Sequence, residues 1–176
     1  ECGGVTLSGG EVMLQWEFAA EDLVHCKKAG VNTAVESCLL ASREAMEAML
    51  PVTDQFLVDI KFLDPVLHKM HLGADNRVIL ENFQWLLAHG ARVLVRTPLI
   101  PGYTAAEDNI RAIARYLRRN APQTPWELLN FNPLCRGKYT ALEQDYPVSG
   151  GSLTQAELQR FYDILEQEGI TNIVKE

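Results

Sequence analysis

Five short stretches of this chain put polar or charged side chains where an apolar run stops. They are Ser8-Gly9-Gly10-Glu11 after "GVTL", Glu36 and Ser37 after "NTAV", Asp59 and Lys61 in "FLVDIK", Arg96 and Thr97 in "VLVRTPL", and Asn130 and Asn132 in "LLNFNPL". Backbone amides and a carboxylate at Gly9, Gly10 and Glu11 suit an ammonium group and its neighbours. Lys61 and Arg96 suit a carboxylate, while Ser37, Asn130 and Asn132 can bond ribose or base edges. Together they describe a receptor for a zwitterion, and an amino acid joined to a nucleoside carries the matching groups.

Plainer readings stand beside these. A Gly-Gly pair after a strand is also an ordinary turn. Asp59 and Lys61, two apart, share a face at the mouth of a buried strand, where they are either ligand groups or a neutralised ion pair. Arg96 lies in an apolar setting, so its guanidinium requires an anionic partner in the protein or in a ligand. His68 and His71 are spaced to share a helix face, and with no third ligand in view they read as a solvent-facing pair rather than a metal site.

The elements that must position these groups follow from hydrophobic period. Short β-branched or apolar runs at residues 4–7, 32–36, 55–60, 92–99, 127–131 and 171–174 alternate with longer amphipathic stretches, the pattern of repeated βα units around a parallel sheet. The helical period recurs through Phe18, Leu23 and Cys26, then Ile79, Phe83, Leu86 and Leu87, then Ile110, Ile113 and Leu117, then Leu158, Phe161 and Leu165, all expected in the core. Gly30, Gly90 and Gly169 fall between a helix and the next strand, where a left-handed residue closes the helix. Thr154 with Glu157 forms a capping box. The stretch from Arg136 to Ser152 has the length of a mobile loop. A single α/β domain over residues 1–176 is expected, either an open doubly wound sheet or a partial barrel, with every strand delivering polar groups to one rim at its C-terminal end.

Composition sets the outer bounds. With 47% hydrophobic and 22% charged residues the chain has an ordinary globular profile. A net charge of -7 and the lack of a long basic cluster argue against nucleic acid and against an anionic membrane surface. No apolar run approaches the ~20 residues that span a bilayer, and no signal peptide is visible, so a cytoplasmic protein is expected. Cys2, Cys26, Cys38 and Cys135 are scattered without a CxxC, the pattern of free thiols in a reducing compartment. The chain opens on Glu1 directly before a strand, and we read it as the C-terminal part of a longer protein.

The motifs also carry a resemblance. "GGVTLSGGEVMLQWEF" resembles the segment of the glycyl radical enzyme activating enzymes, typified by pyruvate formate-lyase activating enzyme, in which a Gly-Gly-x-Thr-x-Ser-Gly-Gly-Glu strand end holds the methionyl amino group of S-adenosylmethionine. "GVNTAVESC", "FLVDIKFLD" and "VLVRTPLIPGYT" are similar to the next strands in the same order, and the match runs across nearly all of Cys2 to Glu168. The resemblance implies a partial (β/α)6 barrel of the radical S-adenosylmethionine type, its first strand lying before Glu1. It implies that Gly9, Gly10 and Glu11 meet the methionine moiety, that Asp59, Ile60 and Lys61 line the cofactor site, and that Glu36, Ser37 and Arg96 lie near the cofactor carboxylate.

Two departures accompany it. The CxxxCxxC loop that binds a [4Fe-4S] cluster is absent, so the cluster is expected only in the full-length protein. Asn132 stands where relatives have a His, and Glu36 where they have an Asp. The implied activity is one-electron cleavage of S-adenosylmethionine to a 5′-deoxyadenosyl radical that installs a glycyl radical on a partner enzyme of anaerobic metabolism, with flavodoxin or ferredoxin as electron donor and this piece inert alone. The turn at residues 62–64 and the loop after Asn132, with Lys138 and Tyr139, would line the partner's way in. Two other readings remain: an aldolase-type barrel with Lys61 as Schiff-base nucleophile, disfavoured by the neighbouring Asp59 carboxylate, and a non-catalytic docking module for a glycyl radical enzyme.

Overall fold

The computed structural model describes residues 3–175. Six strands form one sheet: β1 (Gly4–Leu7), β2 (Asn32–Ser37), β3 (Gln55–Asp59), β4 (Val93–Leu99), β5 (Trp126–Asn130) and β6 (Ile173–Val174). Between them run α1 (Trp16–Lys28), α2 (Arg43–Met49), α3 (Pro65–Leu72), α4 (Arg77–Ala88), α5 (Glu107–Asn120), α6 (Arg136–Ala141) and α7 (Gln155–Gln167). Strand order in space is β1-β2-β3-β4-β5-β6. A doubly wound sheet needs a reversal of strand order, and none occurs here. The sequential order is that of a partial (β/α)6 barrel left open.

Where the sequence suggests a single domain over 1–176, contacts cluster into two compact units. One comprises Glu1–Ile60 and Pro65–Arg96, the other Lys61–Asp64 and Thr97–Glu176. In the first unit β1, β2, β3 and the start of β4 pair in parallel, with Ser37 beside Val58 and Asp59 beside Arg96. Alternation along each strand sorts the side chains onto two faces. Val35, Phe56, Val58, Val93 and Val95 are buried, as are Leu23, Met46, Met49, Ile79, Phe83 and Leu86 from the helices. The other face is half-buried and carries Ala34, Glu36, Leu57, Asp59, Leu94 and Arg96.

Two expectations are corrected in this unit. Phe18 is not core but 65% exposed. A 3-10 turn at Val12–Gln15, whose Met13 is buried, precedes α1, and its tighter period shifts the inward stripe to Ala19 and Leu23. His68 and His71 are not a solvent-facing pair. His71 is exposed, but His68 is buried with Nδ1 2.6 Å from the Ala74 carbonyl oxygen, so its ring closes the end of α3. Cys26 and Cys38 are half-buried thiols outside any disulfide, whereas Cys2 and the Cys135 side chain lie outside the described residues. No helix among the described residues is long and apolar enough to cross a membrane.

In the second unit Leu99, Trp126 and Leu128 are buried together with Ile110, Ile113 and Leu117 of α5 and Phe161, Ile164 and Leu165 of α7. Trp126 Nε1 donates to Thr97 Oγ1 at 3.0 Å, which satisfies the indole inside that core. The capping box at Thr154 and Glu157 is present, and Gly30, Gly90 and Gly169 all have left-handed φ. The stretch read as a long loop begins with a short helix, α6.

The end of α7 is fastened to α5 by charge. Arg115 donates from Nε and Nη2 to the two oxygens of Glu168 at 3.0 and 2.9 Å, and Arg118 Nη1 reaches the Glu168 carbonyl at 3.0 Å. The bond from Arg115 holds the Glu168 carboxyl below its ordinary value of 4.5, with Arg111 adding to it. A carboxyl depressed by folding stabilises the fold above its unfolded pKa and loses that contribution as pH falls through the folded value. The urea midpoint of the native chain should therefore fall more steeply than that of Glu168→Gln as pH drops from about 5 toward 3. Parallel curves for the two proteins would contradict this.

Candidate functional site

The rim begins where β1 ends. Gly9 and Gly10 have φ of 89° and 56°, left-handed values that turn the chain sharply, and among the described residues no heavy atom beyond the adjoining residues lies within 4 Å of where a Cβ would stand at either. The turn delivers Glu11, which caps the 3-10 turn that follows. Its Oε1 accepts from the Met13 amide at 3.1 Å and from Ser37 Oγ at 2.7 Å, and its Oε2 accepts from the Cys38 amide at 2.9 Å. Burial alone would raise its pKa, but the bonds from Cys38, Ser37 and Met13 outweigh burial and hold the carboxyl below its ordinary value. In this fold Glu11 therefore ties the β1 exit to the β2 exit.

A second group lies on the half-buried face of β2, β3 and β4. Arg96 Nη1 stands 2.9 Å from Glu36 Oε1, with side chains 18% and 33% exposed. The two residues belong to strands that flank β3, and neighbouring strands lie ~4.8 Å apart, so the pair must arch over β3. That span requires length on both sides. It supplies the anionic partner that Arg96 needs and gives the extra methylene of Glu36 a purpose. Asp59 sits in register with Arg96 beneath the arch. Ile60 is buried on the opposite face, its amide donating to the Arg96 carbonyl at 3.0 Å.

The remaining rim residues belong to the second unit. The half-buried Lys61 has its carbonyl held by Asn109 Nδ2 at 2.8 Å, and Asn109 Oδ1 accepts from the Leu63 amide at 3.4 Å. Asn130, expected to bond ribose or base, instead pairs with the Leu153 backbone in both directions, at 2.9 and 2.8 Å. Asn132 Oδ1 accepts from the Leu134 amide at 3.1 Å and caps the turn that leads into α6. Within the first unit the fold thus joins Glu11 to Ser37 and groups Glu36, Asp59 and Arg96. Lys61 and Asn132 sit in the second unit. Asn109 and Asn82 are buried polar residues that sequence reasoning passed over. Their signal is an amide on the apolar stripe of a helix, in "EDNIRAI" and "ILENFQW".

The chain belongs to the radical SAM superfamily, whose pattern it matches over residues 1–116. It is 38% identical over 162 residues to a choline trimethylamine-lyase activating enzyme of Oleidesulfovibrio alaskensis, covering 90% of this chain and 52% of that protein. It is 38% identical over 167 residues to an isethionate sulfite-lyase activating enzyme of Nitratidesulfovibrio vulgaris, covering 94% and 54%. The chain thus spans about half the length of the curated relatives it matches. A solved domain of pyruvate-formate lyase-activating enzyme from Bacteroides vulgatus superposes with a TM-score of 0.78 at 27% identity, covering 99% of this chain and 100% of that one. Streptococcus suis SuiB bound to S-adenosylmethionine superposes at 0.74 with 14% identity, covering 98% of this chain and 39% of that one, a likeness of fold alone.

Two groups characterise the superfamily, and the residues here fit one of them. The side-chain-free turn at Gly9 and Gly10 leaves room above the backbone, and a fixed pair of opposite charges suits the amino-acid end of S-adenosylmethionine. A [4Fe-4S] cluster is not accommodated. The sequence holds no CxxxCxxC, and among the described residues no three His, Cys, Asp or Glu side chains gather as ligands.

Removing the Glu11 carboxylate leaves Ser37 and two backbone amides short of an acceptor. Glu11→Ala should lower the unfolding free energy by about 1–3 kcal/mol, read from urea unfolding at neutral pH. A change within error would mean that water replaces the carboxylate without loss.

Proposed function

We propose that this chain is the S-adenosylmethionine-binding part of a glycyl radical enzyme activating enzyme. The observation that carries the reading is the Glu36–Arg96 pair on the half-buried face, in a chain of this superfamily. Arg96 receives the cofactor carboxylate, and Glu36 with the carbonyl oxygens of the Gly9-Gly10 turn receives its ammonium. Asp59 and the backbone of Ile60 border the same ligand. Ser37 and Glu11 hold the turn in shape. When bound and reduced, S-adenosylmethionine supplies a 5′-deoxyadenosyl radical that takes a hydrogen atom from a backbone glycine of the partner. The protein's part is orientation and exclusion of water, so none of its residues need act as acid, base or nucleophile. The electron would come from a donor such as flavodoxin or ferredoxin in the cytoplasm.

The partner is a glycyl radical enzyme whose loop must come within van der Waals reach of the cofactor. The segment after β5 is suited to meet it. Lys138 is exposed, Tyr139 lies edge-on to Tyr146 with ring centroids 5.0 Å apart, and Arg136 covers the Tyr146 ring at 5.5 Å.

Calorimetry with S-adenosylmethionine tests the platform. The native protein should bind, and Arg96→Ala and Glu36→Ala should each lose about 1.5–3 kcal/mol of affinity, the range for a hydrogen bond to a charged group. Gly10→Asn is more discriminating. Asn tolerates left-handed backbone, so this change should leave the urea midpoint in place while its side chain obstructs the ligand. Native affinity in all three variants would remove the cofactor from this rim. Capture of a glycyl radical enzyme by a protein that binds no S-adenosylmethionine would favour a docking module instead.

A further inference from the structure

Between β2 and α2 the chain passes through residues 38–42 in a conformation that its own sequence does not favour. Leu39 is fully buried and has a φ of 61°, a left-handed value that a side chain of this size rarely adopts. Such a residue persists only where its surroundings over-determine it. Four bonds do so here. The Leu39 amide donates to Ser37 Oγ at 2.8 Å, the Ala41 amide donates back to the Leu39 carbonyl at 2.9 Å, and Asn82 Nδ2 donates to the carbonyls of both Leu39 and Ala41 at 3.0 Å. Asn82 is only 3% exposed and comes from α4, far along the chain from the rim.

The same segment presents the Cys38 amide and Ser37 Oγ to Glu11. If Leu39 relaxes to a negative φ, the 38–39 peptide turns against the 39–40 peptide, so the Leu39 amide and the carbonyl bound by Asn82 no longer both meet their partners. A continuous set of bonds therefore runs from α4 through Leu39 and Ser37 to the carboxylate that fixes the Gly9-Gly10 turn. We infer that Asn82 is a positioning residue for the rim: by holding Leu39 left-handed it sets the donors that catch Glu11, and through Glu11 the turn that receives the ligand ammonium. The consequence for S-adenosylmethionine rests on the function proposed above. The consequence for the apo rim does not.

Amide hydrogen exchange on the native protein and on Asn82→Leu and Asn82→Asp, without ligand, tests the inference. In Asn82→Leu the protection of the Cys38 and Met13 amides, both donors to Glu11, should fall about tenfold while the amides of β3 keep theirs. Asn82→Asp keeps the size but turns an acceptor toward two carbonyls. It should show the same local loss at neutral pH and regain part of the protection at low pH, where a protonated carboxyl can donate again. Unchanged protection at Cys38 and Met13, or a uniform fall across both units, would overturn the positioning role and leave Asn82 a general stabilising residue. Calorimetry then separates the two layers. If the native protein binds S-adenosylmethionine, Asn82→Asp should bind it about tenfold more weakly, and native affinity in a variant with local exchange loss would overturn the link to the ligand. If the native protein does not bind it, the proposed function fails while the exchange result still decides the role of Asn82.

Discussion

One half-buried carboxylate fixes the shape of the first unit's rim. Glu11 accepts from its own turn through Met13 and from the next strand through Ser37 and Cys38. The exits of two parallel strands are otherwise independent loops, since sheet hydrogen bonds stop where the strands stop. A charged acceptor shared between them makes them one object. Among the described residues β1 is the outermost strand and largely exposed, so they give its exit little apolar packing. The ionised form of Glu11 does that work, and its lowered pKa is the thermodynamic trace of it.

The other rim elements are held in a related way, by side-chain amides bonded to backbone. Asn82 holds the carbonyls of Leu39 and Ala41, Asn109 holds the Lys61–Leu63 turn, and Asn130 pairs with Leu153 as one strand would with another. Each replaces ladder bonds that a loop cannot make. An amide can donate and accept from a single rigid group and carries no charge to be desolvated, which suits it to buried positions between a helix and a loop. Beside the Glu36–Arg96 pair, further ionic ties lie away from the rim. Glu168 with its arginines fastens the end of α7, and Lys27 pairs with Asp54 at the exposed beginning of β3.

The elements were readable because hydrophobic period and punctuation agreed along most of the chain. The strand at residues 4–7 emerged with the bounds expected, and the others shifted by no more than two residues at an end. What escaped was local phase and the partners of polar groups. Phe18 fits an apolar stripe in "WEFAAEDL", yet the 3-10 turn before α1 sets a different phase, and no residue type in "VMLQ" announces such a turn. His68 looked solvent-facing because its acceptor is a backbone carbonyl, which sequence does not display. Glu11 was legible as part of a motif but not as a tie, because its partners lie 26 and 27 residues away. Asn82 and Asn109 broke the apolar pattern of their helices, and that break was the sign available.

The arch of Glu36 and Arg96 over β3 carries a consequence for selectivity. Each charge is already neutralised by the other in a partly desolvated setting. A simple anion that took Arg96 would take it from Glu36 and leave that carboxylate in a partly desolvated setting. A molecule bearing both signs, spaced like the arch, replaces both contacts at once. A site built on this arch would discriminate by stoichiometry of charge rather than by its sign, preferring dipolar ions to simple salts.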